Sequence, residues 1–131
     1  VAKGMQPGSH GSTFGGNPVG CSIALKVLEL IEKDDILSNV KDLSEILINE
    51  LDKLVKKHHN KISNVRGKGL MIGVECIEKN SVITDEAFKN GLLLVNASNN
   101  VVRFLPPLNI SETEIFEAIK KFDETLSNLD I

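Results

Sequence analysis

The chain has 131 residues, of which 41% are hydrophobic and 25% charged, with a net charge of -3 at pH 7; that is an ordinary globular balance with room for one modest core. The acidic balance argues against nucleic acid or an anionic membrane as a partner. With five Phe and no Trp or Tyr there are few platforms for stacking bases, and no apolar run is long enough to span a bilayer.

The two cysteines, Cys21 and Cys76, are far apart in apolar surroundings with no CxxC spacing. They read as buried reduced thiols, not a disulfide framework or a metal site, which fits a cytoplasmic setting. Val1-Ala2-Lys3-Gly4-Met5 contains no signal-peptide core and no initiator Met, so the chain reads as a piece or a processed form.

Residues 1–17 look irregular, with Met5-Gln6-Pro7-Gly8-Ser9 a turn of the Pro-Gly kind. His10-Gly11-Ser12-Thr13-Phe14-Gly15-Gly16-Asn17-Pro18 then combines three glycines, two hydroxyls and a helix start. Asn17 suits the N-cap and Pro18 the first helical position. Such a loop, leading into a helix N-terminus, favours anions. Gly11 and Gly16 have P-loop spacing, but Asn17-Pro18 replaces the Lys-Ser/Thr that a nucleotide cradle needs.

Helical periodicity covers residues 18–33 through Val19, Ile23, Val27, Leu30 and Ile31, and residues 36–60 through Leu43, Ile46, Leu47, Leu51, Leu54 and Val55. Asp34-Asp35 separates the two. The run Lys56-Lys57-His58-His59-Asn60-Lys61 reads as a solvated basic helix end. Neighbouring helical positions point about 100° apart, so the paired histidines do not converge on one ion. Arg66-Gly67-Lys68-Gly69 reads as a polar turn, although Arg66 and Lys68 could bind an anion. An apolar strand follows at Leu70–Ile77, then a short helix over 81–90 stopped by Asn90-Gly91. Strands over Leu92–Val95 and Val101–Leu105 flank the turn Asn96–Asn100, and Pro106-Pro107 halts the second. Ser111 and Glu114 form a capping box for a last helix with Ile115, Phe116, Ile119, Phe122, Leu126 and Leu129 along one stripe.

Burying these stripes predicts an α/β chain of the α+β kind, with a small, mostly antiparallel sheet, helices on one face and a long helix in front. Arg103 is the informative charge. Strand alternation puts it on one face with Val101 and Leu105. A guanidinium among apolar neighbours must reach a partner or solvent. It serves either a structural ion pair or a ligand carboxylate held in its planar fork.

The string HGSTFGGNP, the stretch from Val65 to Glu75 (VRGKGLMIGVE) and the stretch from Val102 to Leu108 (VRFLPPL) stand in the order and approximate spacing of the class III pyridoxal-phosphate aminotransferases. The chain resembles the acetylornithine and ornithine branch, with Phe14 and Leu105 leaning toward acetylornithine. The resemblance implies the last third of such an enzyme, ending in the small C-terminal domain of the pyridoxal-phosphate transferase fold. Residues 1–17 would then be a cofactor loop from the end of the large domain, 18–60 connecting helices, and 61–131 the small domain. It further implies that Thr13 binds the cofactor phosphate, that Ser12 sits at the phosphate or the substrate, and that Arg103 fixes the substrate α-carboxylate. The enzyme would be a homodimer with a shared site and no metal. No catalytic residue would lie in this chain, because the lysine that carries the cofactor belongs upstream; Lys3 is too near the loop and reads as a surface lysine. Ornithine, succinylornithine and 4-aminobutyrate are alternative donors, and a stand-alone non-catalytic ligand-binding domain is an alternative of another kind.

Overall fold

The computed structural model describes residues 2–4, 7–8 and 11–129. The expected turn survives in part. Pro7 and Gly8 form a turn, with Gly8 at φ +84°, while Met5, Gln6, Ser9 and His10 lie outside the described residues. The chain divides into two compact units, Val1–Ile36 and Leu37–Ile131.

Among its described residues the first unit contains a 3-10 turn, Ala2–Gly4, and helix α1, Pro18–Lys33. Lys3 is exposed. Helix α1 starts where the Asn-Pro pair places it and ends at Asp34, with Asp35 turning back at φ +47°. Its apolar stripe is not core: no residue of α1 is buried, and Val19, Ile23 and Leu28 are among its exposed apolar side chains. Cys21 is exposed too, against the expectation of a buried thiol, because the helix that carries it has no cover in its own unit.

The second unit is a four-stranded antiparallel sheet with three helices. Helix α2 spans Ile36–Lys57, strands β1 and β2 Ile62–Lys68 and Met71–Cys76, and helix α3 Asn80–Lys89. Strands β3 and β4 are Val95–Ala97 and Val101–Phe104, and helix α4 is Glu112–Asn128. The sheet order is β1-β2-β4-β3. One face carries Ile72, Val74, Val102 and Phe104 into a single core with Leu43, Leu47 and Leu51 of α2, Ile83 and Ala87 of α3, and Ile115, Phe122 and Leu126 of α4. Phe104 and Phe122 meet edge to face, centroids 5.1 Å apart. The capping box of α4 forms as expected.

Two expectations about the strands are corrected. The stretch Arg66-Gly67-Lys68 is not a turn but the end of β1, a strand that periodicity missed. Only Gly69, at φ +55°, lies in the hairpin loop, at the first of two positions, where a type II′ turn wants glycine. Gly67 sits inside the strand because a Cβ there would fall 2.3 Å from the Met71 carbonyl oxygen. The third strand begins at Val95, not Leu92, because α3 uses the chain before it. With Gly91 at φ +72°, the Leu92 N–H donates to the Ala87 carbonyl and the Gly91 N–H to Phe88, a Schellman cap.

The basic run at the end of α2 is only partly solvated. His58 is 7% exposed, and its Nε2 lies 2.6 Å from Asp123 Oδ1 of α4, while Lys57 Nζ reaches both Asp123 oxygens at 2.7 Å. Lys61 is also buried. Its ammonium donates to the Leu126 and Leu129 carbonyls, each at 2.6 Å, filling acceptors that the end of α4 leaves open.

Candidate functional site

Ser12 and Thr13 sit in a loop that is closed by its own bonds. The Gly15 N–H donates to Ser12 O at 3.2 Å, and the Asn17 side-chain amide donates to Phe14 O at 2.6 Å. Asn17 Oδ1 accepts from the Gly20 N–H at 2.8 Å, so one side chain ties the loop and caps α1. Gly16 takes φ +74°, a conformation that side chains disfavour. The bonds are all made by backbone or by Asn17. The hydroxyls of Ser12 and Thr13 are exposed, and neither has a hydrogen-bond partner among the described residues.

The second candidate lies on the helix-free face of the sheet. Pairing places Arg66 opposite Gly73, Gly73 opposite Arg103, and Arg103 opposite Val95, in one row across all four strands. Since Val102 and Phe104 face the core, Arg103 faces away from it, as alternation predicts. A cavity of about 630 Å³ opens on this face, lined by Arg66, Lys68, Gly73, Ala97, Val101 and Arg103 among others. Arg66 Nε donates to Glu75 Oε1 at 2.7 Å. Arg103 is half-buried, and its side chain makes no hydrogen bond or ion pair among the described residues. The structural ion pair that the sequence left open for it is therefore absent among them, and its guanidinium is available to an anion entering the cavity.

Ser12 and Thr13 are adjacent in the first unit and Arg103 belongs to the second. Arg66 and Lys68, set aside as a polar turn, line the same cavity as Arg103. The signal that could have found them is their alternation with Gly67 once β1 is recognised as a strand. Among the described residues no three His, Cys, Asp or Glu side chains group as metal ligands, and no helix is long and apolar enough to cross a membrane.

Residues 1–126 match the family described as Aminotransferase class-III. The chain is 45% identical over 127 residues to acetylornithine aminotransferase of Clostridium acetobutylicum, covering 96% of this chain and 33% of that protein. It is 36% identical over 131 residues to acetylornithine aminotransferase of Brucella melitensis, covering 100% and 32%. Among solved structures, acetylornithine aminotransferase from Elizabethkingia anophelis superposes with a TM-score of 0.86 at 29% identity, over 98% of this chain and 33% of that one. Plasmodium falciparum ornithine delta-aminotransferase gives 0.85 at 28%, over 98% and 34%. The chain thus spans about a third of the length of the relatives it matches.

Proposed function

We propose, for a chain that belongs to the class III aminotransferase family, that it is the C-terminal part of a pyridoxal-phosphate-dependent enzyme moving an amino group from N-acetylornithine to 2-oxoglutarate. The single observation that carries the site is Arg103, a half-buried guanidinium without a partner among the described residues, facing a cavity on the open face of the sheet. Its fork fixes the substrate α-carboxylate and so sets which bonds at the neighbouring carbon are presented for reaction. The carboxylate's second oxygen has a donor in the same fork, which suits Arg better than Lys at this position.

The loop residues fit the other end of the reaction. Two exposed hydroxyls without acceptors among the described residues are donors of the kind a phosphate monoester takes, and the loop's own bonds hold the backbone without using them. Thr13 donates to the cofactor phosphate, and Ser12 donates there or to the substrate. When bound, pyridoxal phosphate supplies the electron sink, and the protein supplies orientation. The lysine that carries it belongs to the rest of the longer protein, and Lys3 is a surface residue. The site is shared across a homodimer. Residues 1–17 belong to the cofactor loop, 18–60 to the connecting helices and 61–131 to the small domain.

The experiment is amino transfer by the full-length protein, assayed with N-acetylornithine and with ornithine. Ornithine is the second reading, favoured by the likeness to the ornithine enzyme. Arg103→Ala removes a charge-assisted pair worth about 2 kcal/mol, so kcat/KM falls roughly thirty-fold. An Arg103→Ala variant that keeps both kcat and KM removes Arg103 from the site.

A further inference from the structure

Helix α3 starts without a cap of its own. Its N-cap position is Lys79, whose side chain makes no capping bond, although the first N–H groups of a helix need acceptors from outside it. The acceptor comes from the β3–β4 loop: the Asn80 N–H donates to Asn100 Oδ1 at 2.8 Å. The Asn100 side-chain amide donates to the Cys76 and Glu78 carbonyls at 2.7 and 2.8 Å, and the Cys76 N–H donates back to Asn100 O at 2.9 Å. The Asn80 side-chain amide donates to the carbonyls of Ala97 and Val101, each at 3.0 Å. Ala97 and Val101 are the pair that closes the β3–β4 ladder. In the loop between them, Asn99 and Asn100 stand at φ +60° and +57°, a left-handed conformation that most side chains avoid and Asn tolerates. None of Ala97, Ser98, Asn99 or Asn100 belongs to the hydrophobic core, so hydrogen bonds, not packing, set the loop's geometry.

What the two asparagines hold is a wall of the cavity. Ala97, Ser98, Asn99 and Val101 line it, and Arg103 stands two residues beyond Val101 on the same face. We infer that Asn80 and Asn100 are positioning residues of the Arg103 site: by tying the loop to the end of β2 and the start of α3, they set the width of the cavity that a carboxylate enters to reach Arg103. The inference rests on the proposed reading of that cavity as the carboxylate site. Both side chains act through backbone groups, Asn80 on the wall itself and Asn100 on Cys76 and Glu78, so neither touches the ligand.

The test is equilibrium binding of valerate, a plain monocarboxylate, to the full-length protein and its Asn100→Gly, Asn80→Ala, Arg103→Gln and Asp123→Asn variants, with amide hydrogen exchange over residues 95–101 read alongside. Glycine accepts the backbone conformation of Asn100, so Asn100→Gly removes the carboxamide alone. Asn100→Gly and Asn80→Ala are each expected to weaken valerate about ten-fold and to speed exchange in the loop. Asp123→Asn perturbs the α2–α4 contact, outside the cavity lining, and leaves valerate unchanged, which separates positioning from lost stability. Asparagine variants that lose stability yet bind valerate like the parent reduce the pair to a structural tie and overturn the inference. Unchanged loop exchange, an equal loss of affinity in Asp123→Asn, or a parent that binds no valerate also overturns it. The two readings part at Arg103. If Arg103→Gln binds like the parent while the asparagine variants do not, Arg103 is removed as the clamp and the positioning pair stands. If Arg103→Gln weakens valerate and the asparagine variants do not, the pair alone falls.

Discussion

Gly73 is the position where fold and site constrain each other most tightly, and Gly73→Ala measures how tightly. The added Cβ would lie 2.8 Å from Val101 Cγ1, whereas ordinary contacts begin at 3.4 Å, an overlap of 0.6 Å by subtraction. Val101 cannot easily give way. It is 4% exposed, and its branched side chain has one strongly preferred rotamer. Overpacking of this kind costs about 1–3 kcal/mol. The relief of glycine's chain entropy returns roughly 0.5–1 kcal/mol. The net expectation is a loss of about 1–2 kcal/mol. Val101→Ala alone removes two methyl groups, worth about 2 kcal/mol. The double variant Gly73→Ala/Val101→Ala lacks the overlapping atom, so it should be more stable than the sum of the single losses by about 1 kcal/mol. Urea unfolding followed by far-UV circular dichroism is the suitable assay, because the chain has no Trp or Tyr to report by fluorescence. Strict additivity of the two substitutions would refute the claim that Val101 is what excludes a side chain from Gly73.

Two further expectations concern titration. Partial burial raises the Asp123 carboxyl, but the hydrogen bonds from His58 and Lys57 outweigh it and hold the group below its usual range. A depressed carboxyl adds stability that is present above its unfolded pKa of about 3.9 and lost as pH falls through the folded value. Asp123→Asn should therefore cost about 1 kcal/mol at pH 7, and the gap from the parent should shrink as pH falls below the unfolded value; an equal gap at neutral and at acidic pH counts against the pair. Burial pushes the Cys76 thiol up to about 11, against a weaker lowering by the backbone hydrogen bond with Val102. At pH 8 only about one in a thousand Cys76 side chains is then a thiolate. Iodoacetamide should give a product labelled at the exposed Cys21 well before Cys76 reacts, and peptide mapping that finds both at the same rate contradicts this.

Signals local in the chain were legible in the sequence. Asn17-Pro18 starts α1, Ser111 with Glu114 starts α4, and Gly91 ends α3, because each depends on bonds within one turn. Arg103's side of the sheet followed from strand alternation. What remained hidden was set by distant partners. Nothing in residues 62–68 announces a strand, since Ile62 is its sole fully buried residue, and its pairing is supplied by β2. His58 and Lys61 looked solvated because their acceptors, Asp123 and the carbonyls of Leu126 and Leu129, lie some sixty-five residues away. Arg66 was obscured for the same reason. Its relation to Arg103 runs through Gly73 and appears only when three strands are in register.

The two outer strands of the sheet protect it from its own kind. Strand edges present unpaired N–H and C=O groups that can template another chain. Here β1 breaks its register between Ile62 and Asn64 and then carries Arg66 and Lys68, while β3 is three residues long. An incoming strand would meet a kink and two cations at one border and too short a ladder at the other. A cavity can therefore stand open on a bare sheet face without that sheet growing sideways into aggregates, and the cations that line the cavity also guard its margin.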